Sequence, residues 1–171
     1  MKKTLKLIAF ALALTLIAFS IMACGDDPVT DNTPKTEETS TVEVGDQSSG
    51  KVVKIVVGGT KEKAYYVDYS KIEITEGVLS VFKYLANEGL LSYKADDTGY
   101  GAFLTEVGDL KQDAASGTYI YLYTSIESDQ DVSAYATEKV WNGITLVSTG
   151  VGITSMKVEN GAIIYVGTVK Y

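Results

Sequence analysis

A single helical pattern stands among many short strand patterns, and this combination limits the fold class of the chain. The helix is predicted after Thr75, which can cap it, and Glu76 lies at its positive end. Gly89 is a good stop. Its apolar residues at helical spacing are Val78, Val81, Phe82 and Leu85. A single helix among six or more strands predicts an α+β fold, in which the helix packs on one face of a mixed sheet.

The predicted strands are short runs of β-branched and aromatic residues. They are Lys51–Val57, Ala64–Asp68, Leu90–Lys94, Tyr100–Leu104, Thr118–Ile126, Val140–Trp141, Ile144–Val147 and Ala162–Lys170. Lys71–Ile74 alternates polar and apolar residues and could extend the first hairpin. Asn142-Gly143 is the signal of a type I′ turn, so the strands on either side of it should form a tight hairpin.

The first 23 residues have the pattern of a secretory signal peptide. Three lysines precede an apolar run, Leu7–Phe19, and the segment Ile21-Met22-Ala23 leads to Cys24. This site resembles a bacterial lipobox, in which cleavage leaves the cysteine first and lipidated. We therefore expect a mature protein that begins at Cys24 and is held to a cell membrane by palmitate-type acyl chains. The alternative is an uncleaved anchor, although the run is shorter than the roughly 20 residues that a membrane span needs.

Residues 24–50 are predicted to be a disordered tether, and residues 51–171 a single domain. The tether contains few large apolar residues, so it can bury little surface. The domain contains eleven lysines and fifteen acidic residues, without arginine or histidine, and is mildly acidic. Nucleic acid is therefore an unfavourable partner. Cys24 is the only cysteine, so the core must hold the domain without disulfides. We expect an extracytoplasmic monomer without a cofactor.

Aromatic residues are the candidate ligand-binding groups. Tyr119, Tyr121 and Tyr123 share one face of a predicted strand, and phenols in a row can stack on a planar ligand, a sugar ring or a protein partner. Cross-strand pairing within a sheet is the alternative. Trp141, beside the hairpin turn, is either a lid on the core or an exposed contact. Tyr100, between two glycines, could lie where the backbone approaches a ligand, or in a plain turn.

Acidic residues form two further clusters. Glu127, Asp129 and Asp131 have the alternate spacing of calcium ligands but lack the glycine and the final glutamate of an EF-hand loop, so a solvated loop is the expectation. Asp96, Asp97 and Glu106 could form a carboxylate pair for glycoside cleavage, although any folded domain offers such pairs. With no histidine and no free thiol, the sequence predicts neither catalytic residues nor a metal site.

Several segments together resemble the transcobalamin-like C-terminal domain family. They are Val78–Leu85, Tyr100–Val107, Gly117–Tyr123, Asn142-Gly143, Gly150-Val151 and Glu159–Ala162. The resemblance spans the chain from about Ile74 onwards and implies a β-grasp domain. In vitamin carriers this domain covers one side of cobalamin, and it also occurs in small bacterial surface lipoproteins.

These observations predict a binding function and no enzymatic activity. The first hypothesis is a lipid-anchored extracytoplasmic protein that binds a soluble small ligand, cobalamin-like or otherwise planar, and hands it to a membrane transporter. The alternative is an envelope module that binds a protein or glycan without a small ligand.

Overall fold

The computed structural model describes residues 39–99 and 101–171 of the chain. These residues form one α-helix, α1 (Gly77–Asn87), and ten strands. The strands are β1 (Ser40–Val44), β2 (Val52–Val57), β3 (Lys63–Asp68), β4 (Tyr93–Thr98), β5 (Gly101–Val107), β6 (Leu110–Lys111), β7 (Thr118–Thr124), β8 (Glu138–Trp141), β9 (Ile144–Ser148) and β10 (Ile163–Lys170). The α+β class predicted from the sequence is confirmed.

The strands form two sheets. A mixed seven-stranded sheet has the order β1-β3-β2-β10-β7-β9-β8, and a three-stranded sheet has the order β4-β5-β6. β2 and β3 pair antiparallel, whereas β10 returns parallel to β2 and antiparallel to β7. The last strand in chain order therefore lies at the centre of the larger sheet.

The helix packs on one face of the seven-stranded sheet. The apolar side of α1 is buried against alternate residues of β2, β3, β7 and β10 in a single core cluster, together with Leu104 and Val107 of β5. Phe82 of the helix is fully buried, and its ring meets that of Tyr93 edge-on at 5.8 Å between centroids. Burial of this apolar stripe, worth roughly 2 kcal/mol for each large side chain, fixes the helix on the sheet.

The opposite face of the sheet has a second apolar cluster, which shows that the sheet curls. Its buried members are Val56, Ala64, Tyr123, Trp141, Leu146, Ile163 and Tyr165. They come from six neighbouring strands, and β8, the last of these, bends back across the face. There Trp141 Nε1 donates a hydrogen bond of 2.8 Å to Glu62 Oε1, just before β3. The same carboxylate oxygen accepts a 2.6 Å bond from Thr39 Oγ1, just before β1.

The hairpin of β8 and β9 has the turn that the sequence predicts. Asn142 has a φ of 47° and Gly143 a φ of 77°, the left-handed pair of a type I′ turn. Trp141 and Ile144 are paired on either side of it.

Four predictions of local structure are wrong. β1 lies within the range predicted to be tether, where it pairs parallel with β3, so the folded part begins before residue 51. Lys71–Ile74 forms no strand, and β4 begins at Tyr93, within the predicted strand Leu90–Lys94, and continues to Thr98, beyond the predicted end. Thr75 does not cap the helix, because the helix begins at Gly77 and its first amides bond to carbonyls of a distant loop.

The predicted signal peptide, Cys24 and the first part of the predicted tether lie outside the described residues. Within residues 39–99 and 101–171, no helix is long and apolar enough to cross a membrane.

Candidate functional site

The three tyrosines of β7 share one face, as their spacing predicts, and this face is the one opposite the helix. Ile120 points the other way, into the helix-side core. Tyr123 is buried in the second cluster, between the rings of Tyr121 at 5.7 Å and Tyr165 at 6.2 Å. Trp141 is only 5% exposed, so it covers the same cluster. In this structure, Tyr123 and Trp141 are core residues.

Tyr119 and Tyr121 are half-buried and lie beside Tyr171, which is exposed. The rings of Tyr119 and Tyr171 are 6.1 Å apart. A hydrogen bond with the side chain of Tyr171, followed by burial, raises the pKa of Tyr121 to about 12. Tyr121 is therefore a neutral hydrogen-bonding phenol at physiological pH. Tyr100 lies outside the described residues, so its predicted contact with a ligand stays a prediction.

Next to Tyr121 lies an apolar groove of about 210 Å³, which we call the inner groove. One wall is β5, the other is β7, and the loop 149–153 closes one side. The residues of these two strands that line the groove are Ala102, Phe103, Leu104, Ile120, Tyr121 and Leu122. Phe103 is 47% exposed, an unusual position for a phenylalanine in the middle of a strand. The groove therefore offers an apolar floor and one exposed aromatic ring.

A wider recess of about 530 Å³ shares the lining residue Ala102 with the inner groove, and we call the two together the hairpin cleft. The recess lies between the helix and the β4–β5 hairpin, and it contains polar groups: Asp97, Glu76 and Lys83. Lys83 and Glu76 form an ion pair, and this hydrogen bond raises the pKa of the Lys83 ammonium group. Asp97 is exposed, and no ion pair to it occurs among the described residues.

The loop that walls the hairpin cleft is held from two directions. The buried carboxylate of Asp129 accepts a 2.7 Å hydrogen bond from the Lys157 amide, and the Asp129 carbonyl accepts bonds from Gly150 N and Thr149 Oγ1. On the other side, the first amides of α1 donate to carbonyls of Ile153 and Met156. The wall is thus held by hydrogen bonds of the protein itself, and a wall held in this way would lower the entropy cost of binding.

The acidic residues do not gather into one site. The Asp129 carboxylate accepts the bond from the Lys157 amide, and the Asp131 carboxylate accepts bonds from Ser133 of its own loop. Glu106 pairs with Lys94, and this hydrogen bond lowers its pKa. Among the described residues, no three potential ligands of the types His, Cys, Asp and Glu are close enough to hold a metal ion.

The sequence pattern did not identify Phe103 or the loop 149–154 as parts of a site. Phe103 belongs to a predicted strand, where an aromatic residue is expected to be buried. Only the pairing of β5 with β4 and the curl of the larger sheet leave its ring beside a groove. The sequence pattern predicted a strand over Gly101–Leu104, but it did not indicate which side of that strand faces solvent.

Comparison with known proteins gives no family and no curated relative, since no family model and no curated protein matches the chain. Among solved structures, two that are similar to it have low scores. One is described as a "putative metal binding protein" from Ruminococcus gnavus ATCC 29149, with 14% identity and a TM-score of 0.46 over 71% of this chain and 98% of that one. The other is haptocorrin in complex with Cbi, with 17% identity and a TM-score of 0.48 over 70% of this chain. This chain spans about a quarter of haptocorrin, as the match covers 25% of that protein.

Proposed function

We propose that this protein is a lipid-anchored extracytoplasmic binding protein that takes a soluble small ligand in the hairpin cleft. The observation that carries the proposal is the exposed ring of Phe103 beside an apolar groove with a fixed wall. An apolar recess with a few polar groups at its edge is the usual form of a small-molecule site. The proposal includes no catalytic step.

The β-grasp fold expected from the resemblance is part of the proposal. The β2–β3 hairpin, the helix that follows it and the parallel pairing of β10 with β2 support it. A planar ligand, cobalamin among the candidates, would lie with its flat side against Phe103 and Tyr121. Delivery of this ligand to a membrane transporter is the role that we propose for the anchored protein.

Binding is tested by calorimetric titration of the purified full chain in detergent micelles with cobalamin and other planar ligands. We expect saturable binding that Phe103→Ala weakens by on the order of tenfold, because a desolvated aromatic contact is worth roughly 1–2 kcal/mol. Val140→Ala is the matched control, since Val140 is 63% exposed on β8, which β9 separates from β7 in the sheet. Absence of heat and of thermal shift across the panel would remove the small-ligand proposal.

The anchor is tested separately by growing cells with radiolabelled palmitate. Label should appear on the wild-type protein and be absent from Cys24→Ala, which cannot form the thioether or carry the acyl chains. Equal labelling of both proteins would show that Cys24 is not the lipidated residue.

A protein- or glycan-binding module is the second candidate, and a different surface favours it. Val132 and Tyr135 are 96% and 86% exposed on the loop between β7 and β8. Hydrogen bonds from Ser133 to Asp131, and from the Tyr135 amide to Ser133 Oγ, hold this loop. Rigid exposed aromatic and aliphatic groups are typical of interaction surfaces. This candidate predicts that Tyr135→Ala, and not Phe103→Ala, removes binding to isolated envelope material.

A further inference from the structure

Strand β7 has a backbone position, Ile120, without a hydrogen bond from the described residues on the side away from β10, and Ile120 is also one of the residues that line the inner groove. Thr118 exchanges hydrogen bonds with Asp113, and the Leu122 carbonyl accepts one from Thr149, so both residues direct these groups away from β10. Ile120 lies midway between them. Because the backbone N–H and C=O of alternate residues point to the same edge of a strand, those of Ile120 also point away from β10. No described residue bonds to them there.

The strand on the other side of the groove is also open. β6 covers the outer edge of β5 only at Glu106 and Val107, and the Gln112 amide reaches the carbonyl of Thr105. No described strand pairs with that edge over Gly101–Leu104. The inner groove therefore separates two strand edges, and its floor is apolar.

These features select the chemistry of a ligand. An N–H and a C=O on one residue are satisfied together by another peptide backbone, which presents a carbonyl and an amide at the same spacing. A groove of about 210 Å³ holds one or two apolar side chains beside that backbone. A purely planar aromatic ligand would cover the apolar floor of the groove but leave the backbone N–H and C=O of Ile120 without partners. Each of these two groups would then lack roughly one hydrogen bond.

The carboxylate of Asp97 indicates which end of the hairpin cleft would hold a cationic group. Asp97 lines the wider recess and is paired in register with Ala102, the residue that the two parts of the hairpin cleft share. The domain is acidic, and the carboxylate of Asp97 has no cationic partner among the described residues. A cationic group on the ligand would therefore be attracted to the end of the cleft at which β5 begins.

We propose that the hairpin cleft binds an extended peptide, which pairs its backbone with Ile120, buries an apolar side chain in the inner groove and directs a basic side chain to Asp97. The inference uses the same groove as the proposed function but names a different ligand class. Recognition is by strand addition, so side chains at alternate peptide positions, rather than a full sequence, set the preference.

The test uses the full chain in detergent micelles and the labelled probe peptide acetyl-Lys-Thr-Val-Thr-Leu-Thr-amide, with binding followed by fluorescence anisotropy. In two further probes, the backbone amides are N-methylated either at the second and fourth residues or at the third and fifth. Only alternate amides of an extended peptide face a given edge. We expect one methylated probe to lose about tenfold or more in affinity and the other to bind nearly as well as the parent.

A pair of protein variants tests the charge. Asp97→Asn should weaken the lysine probe about two- to fivefold and leave a probe with glutamine in place of lysine unchanged. Asp96→Asn is the matched control, because Asp96 is exposed on the same strand but does not line the recess. Both are surface changes, and circular dichroism would be used to check that each variant is folded.

Three results would overturn the inference: no saturable binding of the lysine probe, equal losses for the two methylated probes, or equal effects of the two asparagine variants. Cobalamin or another planar ligand that binds through Phe103, without any peptide binding, would overturn this inference and keep the proposed function. Peptide binding with the predicted alternation, without binding of any planar ligand, would support this inference and remove the planar ligand.

Discussion

Removal of the Glu62 carboxylate should open the curl of the larger sheet. Glu62 Oε1 accepts from Trp141 Nε1 at 2.8 Å and from Thr39 Oγ1 at 2.6 Å, so one oxygen bonds to a residue of the edge strand β8 and to the residue just before the other edge strand, β1. In Glu62→Ala, the indole N–H of a side chain that is 5% exposed loses its partner. A buried unpaired donor costs about 1–3 kcal/mol, and the threonine bond adds about 0.5–1 kcal/mol.

We therefore expect Glu62→Ala to lower the free energy of unfolding by about 2–3 kcal/mol. For a domain of this size, that corresponds to a fall of about 8–12 °C in the melting temperature. The assay is urea unfolding followed by far-ultraviolet circular dichroism, which does not depend on the tryptophan. Glu62→Gln keeps an acceptor oxygen and should lose about half as much.

A double-mutant cycle separates the hydrogen bond from packing. Trp141→Phe removes the donor along with some ring volume, so it should cost less in the Glu62→Ala background than in the wild type. The expected coupling is about 1–2 kcal/mol. Additive effects of the two changes would refute the argument that this bond closes the sheet, because they would show that the indole and the carboxylate stabilise the fold independently.

Three further changes test other parts of the structure. The hydrogen bond from the Ser70 amide, with others from Ser49 and Asp46, lowers the pKa of Asp68 to about 2. The stabilising effect of the Asp68 carboxylate is therefore complete above pH 3.8 and is lost as the pH falls towards 2. The difference in melting temperature between the wild type and Asp68→Asn should narrow over that range. Asp129→Ala should cost about 2–3 kcal/mol in urea unfolding, because the Lys157 amide loses its buried acceptor. Gly58→Ala should cost about 1–3 kcal/mol by the same assay, since a Cβ there would lie 1.8 Å from the Tyr165 hydroxyl.

Each of these three has its own contrary result. A gap for Asp68→Asn that stays constant with pH would show that the carboxylate is not held in its charged form. Ser128→Ala is the control for Asp129, and equal losses would mean that the backbone bond to Lys157 adds nothing. Gly99→Ala, where a Cβ meets nothing within 4 Å, should be nearly neutral, and an equal loss there would contradict the steric argument for Gly58.

Local chemistry in the sequence predicted those elements whose causes are local. The turn at Asn142-Gly143 needs two residues that tolerate positive φ, and asparagine followed by glycine meets this requirement. The helix is recognisable because its apolar stripe must face a core. Its start was misplaced since the carbonyls that accept from its first amides come from residues about 75 positions later in the chain.

The site was less predictable because it depends on how the sheet curls. The alternation along β7 placed three tyrosines on one face, and this is confirmed by the side on which Ile120 is buried. Whether that face is open could not be deduced, because Trp141 and the hairpin that contains it close over it through a bond to Glu62. β1 was missed because its five residues lie within a segment whose composition is that of a linker.

The central position of β10 constrains when this protein can fold. The strand has neighbours on both sides, β2 and β7, and it is the last of the described strands in chain order. Until it arrives, the β2–β3 hairpin and β7 have no common partner, and the helix has only part of the surface on which it packs. Pairing over so long a sequence separation is slow. A chain synthesised only as far as β9 therefore lacks the strand that joins the two halves of the larger sheet, and this sheet can close only once Ile163–Lys170 is available.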